Sequence, residues 1–133
     1  MATNPTTPRA TADGPDRAQT VYKIVEADAW RDAERTGAFE GAGVDQSDGF
    51  IHFSTLAQLR ATAAKHFDGR DGLLLVAVDG ARLAAMGEAF RYEPSRGGDL
   101  FPHLYAPLPM DAVRSVEPLP LGSDDPHRFP DGL

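Results

Sequence analysis

Leu73-Leu-Leu-Val-Ala-Val78 constrains the fold more than any other segment. It is the most continuous apolar run in the chain, and its length and composition suit a strand buried on both faces. Asp68-Gly69 and Asp71-Gly72 are turn signals just before it. Val21-Tyr-Lys-Ile-Val25 alternates in strand fashion and opens the folded part. Asp28–Thr36 reads as a helix with Trp30 and Ala33 on one side and Gly37 as its C′ residue. Phe39–Ser47 is glycine-rich and is expected to be a loop. Ala81–Met86 reads as a short helix or turn, Ala89–Glu93 as a strand stopped by Pro94, and Phe101–Tyr105 and Val113–Val116 as short extended pieces. Several strands with two helices inserted early predict an α+β domain on a curved, largely antiparallel sheet.

Asp48-Gly-Phe-Ile-His-Phe-Ser-Thr55, followed by Leu56–Phe67, carries the most chemistry. Phe50, Ile51 and Phe53 form strands well, and Thr55 stands three residues before Gln58, the spacing of a capping box. Leu56, Leu59, Ala63 and Phe67 then fall on one helical stripe. His52, Ser54 and Thr55 are thereby expected to gather where a strand meets a helix N-terminus, a place that offers unpaired N–H groups to an anion. The structural reading stays open beside this one. A Ser-Thr pair before a helix can be only a cap, and His52 can be a core histidine held by one hydrogen bond.

A second cluster runs from Arg91-Tyr92-Glu93 to Phe101-Pro-His-Leu-Tyr105. In a strand, Arg91 and Glu93 share a face, which is either a solvated ion pair or part of a site. Ser95-Arg96-Gly97-Gly98 permits close approach of a ligand, or is a plain turn. His103 and Tyr105 alternate onto one face. His52, His103 and Glu93 are chemically able to hold a metal, but nothing in their spacing demands it, and no metal is expected.

Composition narrows the classes. Residues 1–19 and 122–133 are poor in large apolar side chains and are expected to be tails, leaving a single domain over residues 20–121. With no cysteine, disulfides, thiolate catalysis and zinc–thiolate sites are excluded, which fits a reducing cytoplasm. The net charge of −7 weighs against nucleic acid as partner. No run approaches the roughly 20 apolar residues of a membrane span, and the N-terminus has no apolar signal region. A small-molecule ligand is the expected partner; oligomeric state is not legible.

Three blocks, Asp48–Thr55, Ser95–Gly98 and Phe101–Tyr105, resemble the signature of a small bacterial family numbered nine-five-two in the domain-of-unknown-function series. The resemblance covers about Tyr22 to Leu119. The family is grouped with the ADP-ribosyltransferase-like fold, which implies a split, strongly curved β-sheet and a cleft for NAD as substrate. Carried over by position, it implies Glu93 as a catalytic residue and Lys23, Ser54 and Thr55 as ligand-binding residues. His52, an additional polar group beside the second motif, is expected to be catalytic with Glu93, and Arg96, His103 and Tyr105 of the second cluster are expected to bind ligand. Lys23 stands where an Arg or His is usual, and the context of Glu93 departs from the standard pattern. A transferase and a non-catalytic module for nucleotides or sugar phosphates are the two classes implied.

Overall fold

The computed structural model describes residues 16–95, 97–122, 127–130 and Leu133. The element order is β1 (Val21–Glu26), α1 (Ala27–Thr36), β2 (Ala38–Phe39), α2 (Val44–Asp48), β3 (Ile51–His52), β4 (Ser54–Thr55) and α3 (Leu56–His66). It continues with β5 (Leu73–Val78), α4 (Gly80–Ala84), β6 (Phe90–Pro94), β7 (Leu100–Leu104), β8 (Leu108–Pro109) and β9 (Val113–Leu119). Single 3-10 turns at Gly87–Ala89 and Met110–Ala112 lead into β6 and β9. The strands form a four-stranded sheet in the order β4-β1-β5-β9, a two-stranded β2-β8 ribbon and a three-stranded sheet in the order β3-β7-β6. Every pairing is antiparallel. The α+β class, the antiparallel sheets and the two main helices agree with the sequence reading.

Strand periodicity explains the layering. Along β1 and β5, Val21, Val25, Leu74, Val76 and Val78 enter one apolar core with Trp30, Phe39 and Phe90. Tyr22, Ile24, Leu73 and Leu75 enter a second core, closed by Leu59 and Ala63 of α3 and by Leu119. The sheet is covered on both sides, as the unbroken run Leu73–Val78 requires. Helix α1 turns Trp30 and Ala33 inward and ends at Gly37, whose left-handed backbone (φ 96°) directs its N–H to the Ala33 carbonyl. Leu56 lies outside the expected α3 stripe at 42% exposure, while Leu59 and Ala63 are buried.

One expectation needs correction. The region expected as a Phe39–Ser47 loop contains β2 and the single turn of α2. Its glycines do not keep the chain irregular; they let it fold tightly over Asp45. A Cβ on Gly41 would lie 2.8 Å from the Asp45 Cβ, so only glycine fits this approach. The described residues at the two ends carry no helix or named strand, but they are anchored by tertiary contacts. Residues 1–15 lie outside the described residues, but Arg17 donates from Nη2 to the Phe90 carbonyl at 2.7 Å, and the Gln19 carbonyl packs against Gly80 so closely that a Cβ there would clash at 1.9 Å. At the other end, the Arg128 N–H reaches the Pro120 carbonyl at 2.8 Å, and Phe129 and Leu133 pack on the second core. The packing surface that anchors both segments is tertiary, so local composition does not reveal it. No helix among the described residues is long and apolar enough to cross a membrane.

Candidate functional site

The polar face of the β3-β7-β6 sheet follows from register. His52 pairs with His103, and His103 pairs with Arg91, so these three stand in one row across three strands. Glu93 pairs with Phe101 on the same face, two residues along. The opposite face sends Ile51, Phe90 and Leu104 into the first core. One side of the sheet is therefore apolar and fixed, and the other is free to carry chemistry.

On that face the rings converge. The His52 and His103 centroids are 5.2 Å apart, edge to face. Phe50 lies against His52, His103 and Tyr105 at 4.5, 4.3 and 4.9 Å. The Arg91 guanidinium sits 4.5 Å over the Tyr105 ring, a cation–π contact. One carboxylate oxygen, Glu93 Oε1, meets His103 Nδ1 at 2.8 Å and accepts the Tyr105 hydroxyl at 2.7 Å. Those hydrogen bonds from Tyr105 and His103 hold Glu93 below its usual range. Tyr105 is raised by donating to that anion. Burial pushes His103 below the usual histidine range, against the opposing pull of Glu93.

A buried polar chain stands behind His52. Asp45, with its side chain fully buried, takes Lys23 Nζ at 3.0 Å on Oδ1 and 2.8 Å on Oδ2. Its Oδ1 also accepts the His52 N–H at 3.0 Å and meets His52 Nδ1 at 2.6 Å, while Oδ2 accepts the Ala42 N–H at 3.0 Å. Burial alone would raise Asp45; the His52 hydrogen bond, the Lys23 charge and hydrogen bond and the Ala42 N–H outweigh it and bring Asp45 down to about 2. Burial lowers Lys23, against the charge and hydrogen bond of Asp45. The outer ring nitrogen of His52, Nε2, meets the half-exposed carboxylate of Asp48 at 3.0 Å.

Four expected site residues thus come together: His52, His103, Glu93 and Tyr105. Lys23 reaches them only through Asp45. Ser54 and Thr55 do not join them, although strand alternation from His52 to Ser54 suggests a shared face. The chain changes sheet at buried Phe53, whose N–H goes to the Pro102 carbonyl at 2.9 Å; β3 pairs with β7, whereas β4 pairs with β1. Ser54 is buried and bonded to Thr62 Oγ1 at 2.9 Å. Thr55 forms the capping box of α3 with Gln58, whose Oε1 accepts the Thr55 N–H at 3.0 Å. Arg96 lies outside the described residues.

Asp45, Asp48 and Phe50 complete the face and were not singled out as site residues. One signal for Asp45 was available. A lysine inside the apolar strand Val21–Val25 needs a buried carboxylate partner somewhere in the fold.

The family model described as Protein of unknown function (DUF952) matches residues 24–116. The chain belongs to that family. The DUF952 match spans every residue of the polar face, and Lys23 stands one position before it. The X-ray structure of protein CC0527 from Caulobacter crescentus is 43% identical, with a TM-score of 0.77 over 83% of this chain and 94% of that one. The solution NMR structure of CC0527 gives 44% identity and a TM-score of 0.70, covering 80% and 89% of the two chains. No curated protein matches. Among the described residues of this DUF952 chain, no group of three His, Asp or Glu side chains is arranged to hold a metal ion. An open groove of about 480 Å³, lined by Arg17, Gly87, Glu88, Phe90, Arg91 and Tyr92, shares only Arg91 with the polar face. It contains neither histidine and lacks Glu93.

Proposed function

We propose that the β3-β7-β6 face binds a nucleotide-type ligand, NAD foremost, and that the domain is an ADP-ribosyltransferase-like transferase of the cytoplasm. The observation that carries this reading is the ionised Glu93 carboxylate, held by Tyr105 and His103 beside a cluster of aromatic rings. When the bond between nicotinamide and ribose C1′ breaks, its electron pair leaves with nicotinamide and positive charge develops on the ribose. A carboxylate fixed in advance stabilises that charge without reorganising. An acceptor nucleophile then bonds to C1′ and passes its proton to water, while His52, fixed by Asp45, lines the face where the acceptor enters. The grouping of the family with the ADP-ribosyltransferase-like fold supports the same assignment.

A non-catalytic binding module is the second reading. It is favoured by the double engagement of Glu93 Oε1, which occupies the oxygen that chemistry would use.

Thermal denaturation with NAD, ADP-ribose and nicotinamide, together with chromatographic assay of released nicotinamide, decides between them. The transferase reading expects stabilisation by NAD, slow nicotinamide release, and loss of release in Glu93→Gln with NAD binding retained. A saturating ligand at a hundred times its Kd stabilises by about 2.7 kcal/mol, well within reach of this method. Stabilisation with no nicotinamide released assigns the binding module. No stabilisation by any of the three overturns both.

A further inference from the structure

The row Arg91–His103–His52 has a feature that a transferase reading does not use: its outermost nitrogen is already capped by an acid of the same chain. His52 meets carboxylates at both ring nitrogens, buried Asp45 at Nδ1 and half-exposed Asp48 at Nε2. A carboxylate only accepts, so one imidazole satisfies both only when each nitrogen carries a proton. Asp45 cannot leave, because Lys23, the Ala42 N–H and the His52 N–H also hold it. Asp48 is held by the imidazole alone among its side-chain bonds in the described residues, and it ends α2, followed by Gly49 in the left-handed region at φ 85°. Of the two acids, only Asp48 is placed to swing away.

We propose that Asp48 is an internal stand-in for a ligand's anionic group, and that a phosphate displaces it from His52 Nε2 to bind along the row His52–His103–Arg91. Neighbouring strands lie about 4.8 Å apart, so His52 and Arg91 stand about 10 Å apart across β7, a span suited to a diphosphate. Arg91 supplies a planar guanidinium at one end and the imidazolium supplies a donor at the other. The neighbouring charges fit this arrangement. Lys23 and Asp45 neutralise one another, Glu93 is occupied by His103 and Tyr105, and Asp48 is the remaining carboxylate in contact with the histidine row. The proposal rests on the nucleotide reading for its ligand class, but not on turnover.

The test is a titration of the full chain with inorganic phosphate and then pyrophosphate, followed by the ring ¹⁵N and ¹H signals of His52. Wild type, Asp48→Asn, Arg91→Gln and Asp111→Asn are compared; Asp111 is an exposed acid paired with Arg82 and controls for net charge. Removing Asp48 should tighten phosphate about two- to fivefold, the factor that an exposed ion pair commands. Arg91→Gln should weaken pyrophosphate more than phosphate, and Asp111→Asn should match wild type. Asp48→Ala serves if the Asn variant misfolds. Equal affinities in wild type and both Asp48 variants, or phosphate shifts that leave His52 untouched, overturn the proposal. The failures of the two readings separate cleanly. If NAD stabilises wild type but Asp48 variants gain nothing, the stand-in falls alone. If phosphate tightens in Asp48→Asn while NAD has no effect, the nucleotide reading falls alone.

Discussion

The β4-β1-β5-β9 sheet and the β3-β7-β6 sheet are both antiparallel and both feed the same apolar core, yet only the second gathers two histidines, a carboxylate and an arginine on one face. The central strands of the four-stranded sheet, β1 and β5, are covered on each side, so their side chains are almost all apolar. The three-stranded sheet is covered on one side only, and its other side is free to hold Arg91, Glu93, His52 and His103. The candidate site lies where a sheet loses one covering layer. Lys23 is the exception that joins the two regions. It is a buried charged residue in a central strand of the four-stranded sheet, and its partner Asp45 is the group that orients His52. The covered sheet thus supplies a rigid strut to the uncovered one.

That strut gives the largest expected effect. Asp45→Ala leaves Lys23 buried without its partner and should cost about 3–5 kcal/mol in urea unfolding, far more than any change on the open face. The pH dependence has a definite sign. Asp45 drops from an ordinary 3.8 to about 2 on folding, so its contribution is fully present above about pH 4 and is lost as pH falls toward 2. Asp45→Asn should remove that acid-limb dependence. A loss below about 1 kcal/mol on Asp45→Ala would break the link between the two regions.

Thr55→Ala comes next, at about 0.5–2 kcal/mol, because Thr55 caps α3. Its ligand affinity should match wild type, since Phe53 turns this segment away from His52 into the other sheet. Weakened binding would mean that the two regions share the site after all.

Tyr105→Phe should be the mildest, about 0.5–1.5 kcal/mol, for it removes one exposed hydrogen bond to Glu93. Its informative readout is ring titration. Burial lowers the His103 pKa, so the folded state loses stability as pH falls below the ordinary histidine range, where the unfolded chain takes up the proton more readily. Glu93→Gln deletes the carboxylate that opposes this shift and should move the His103 titration further down. An unmoved His103 would separate the two groups.

Much of this contrast was legible in the chain. Leu73–Val78 announced the covered sheet by having no polar position, and Thr55 with Gln58 announced the helix start. Arg91 and Glu93, two apart, announced a polar strand face. The rest depends on contacts that local pattern does not encode. Alternation is a rule within one sheet, and the change of partner strand at Phe53 breaks it between His52 and Ser54. Asp45 sits among glycines that suggest a loop, and its burial follows only from where Lys23 and His52 meet in space. Phe50 was expected in the strand; it precedes β3, and its ring lies on His52, His103 and Tyr105.

The most direct test of the central claim, that the uncovered face of β3-β7-β6 is the ligand site, is a backbone and histidine-ring NMR titration with ADP-ribose. The account predicts shifts concentrated at Phe50, His52, Arg91, Glu93, His103 and Tyr105, with β5 and the α3 cap silent. Shifts centred on Arg17, Gly87 and Tyr92 in the neighbouring groove, with both histidines unmoved, would contradict it.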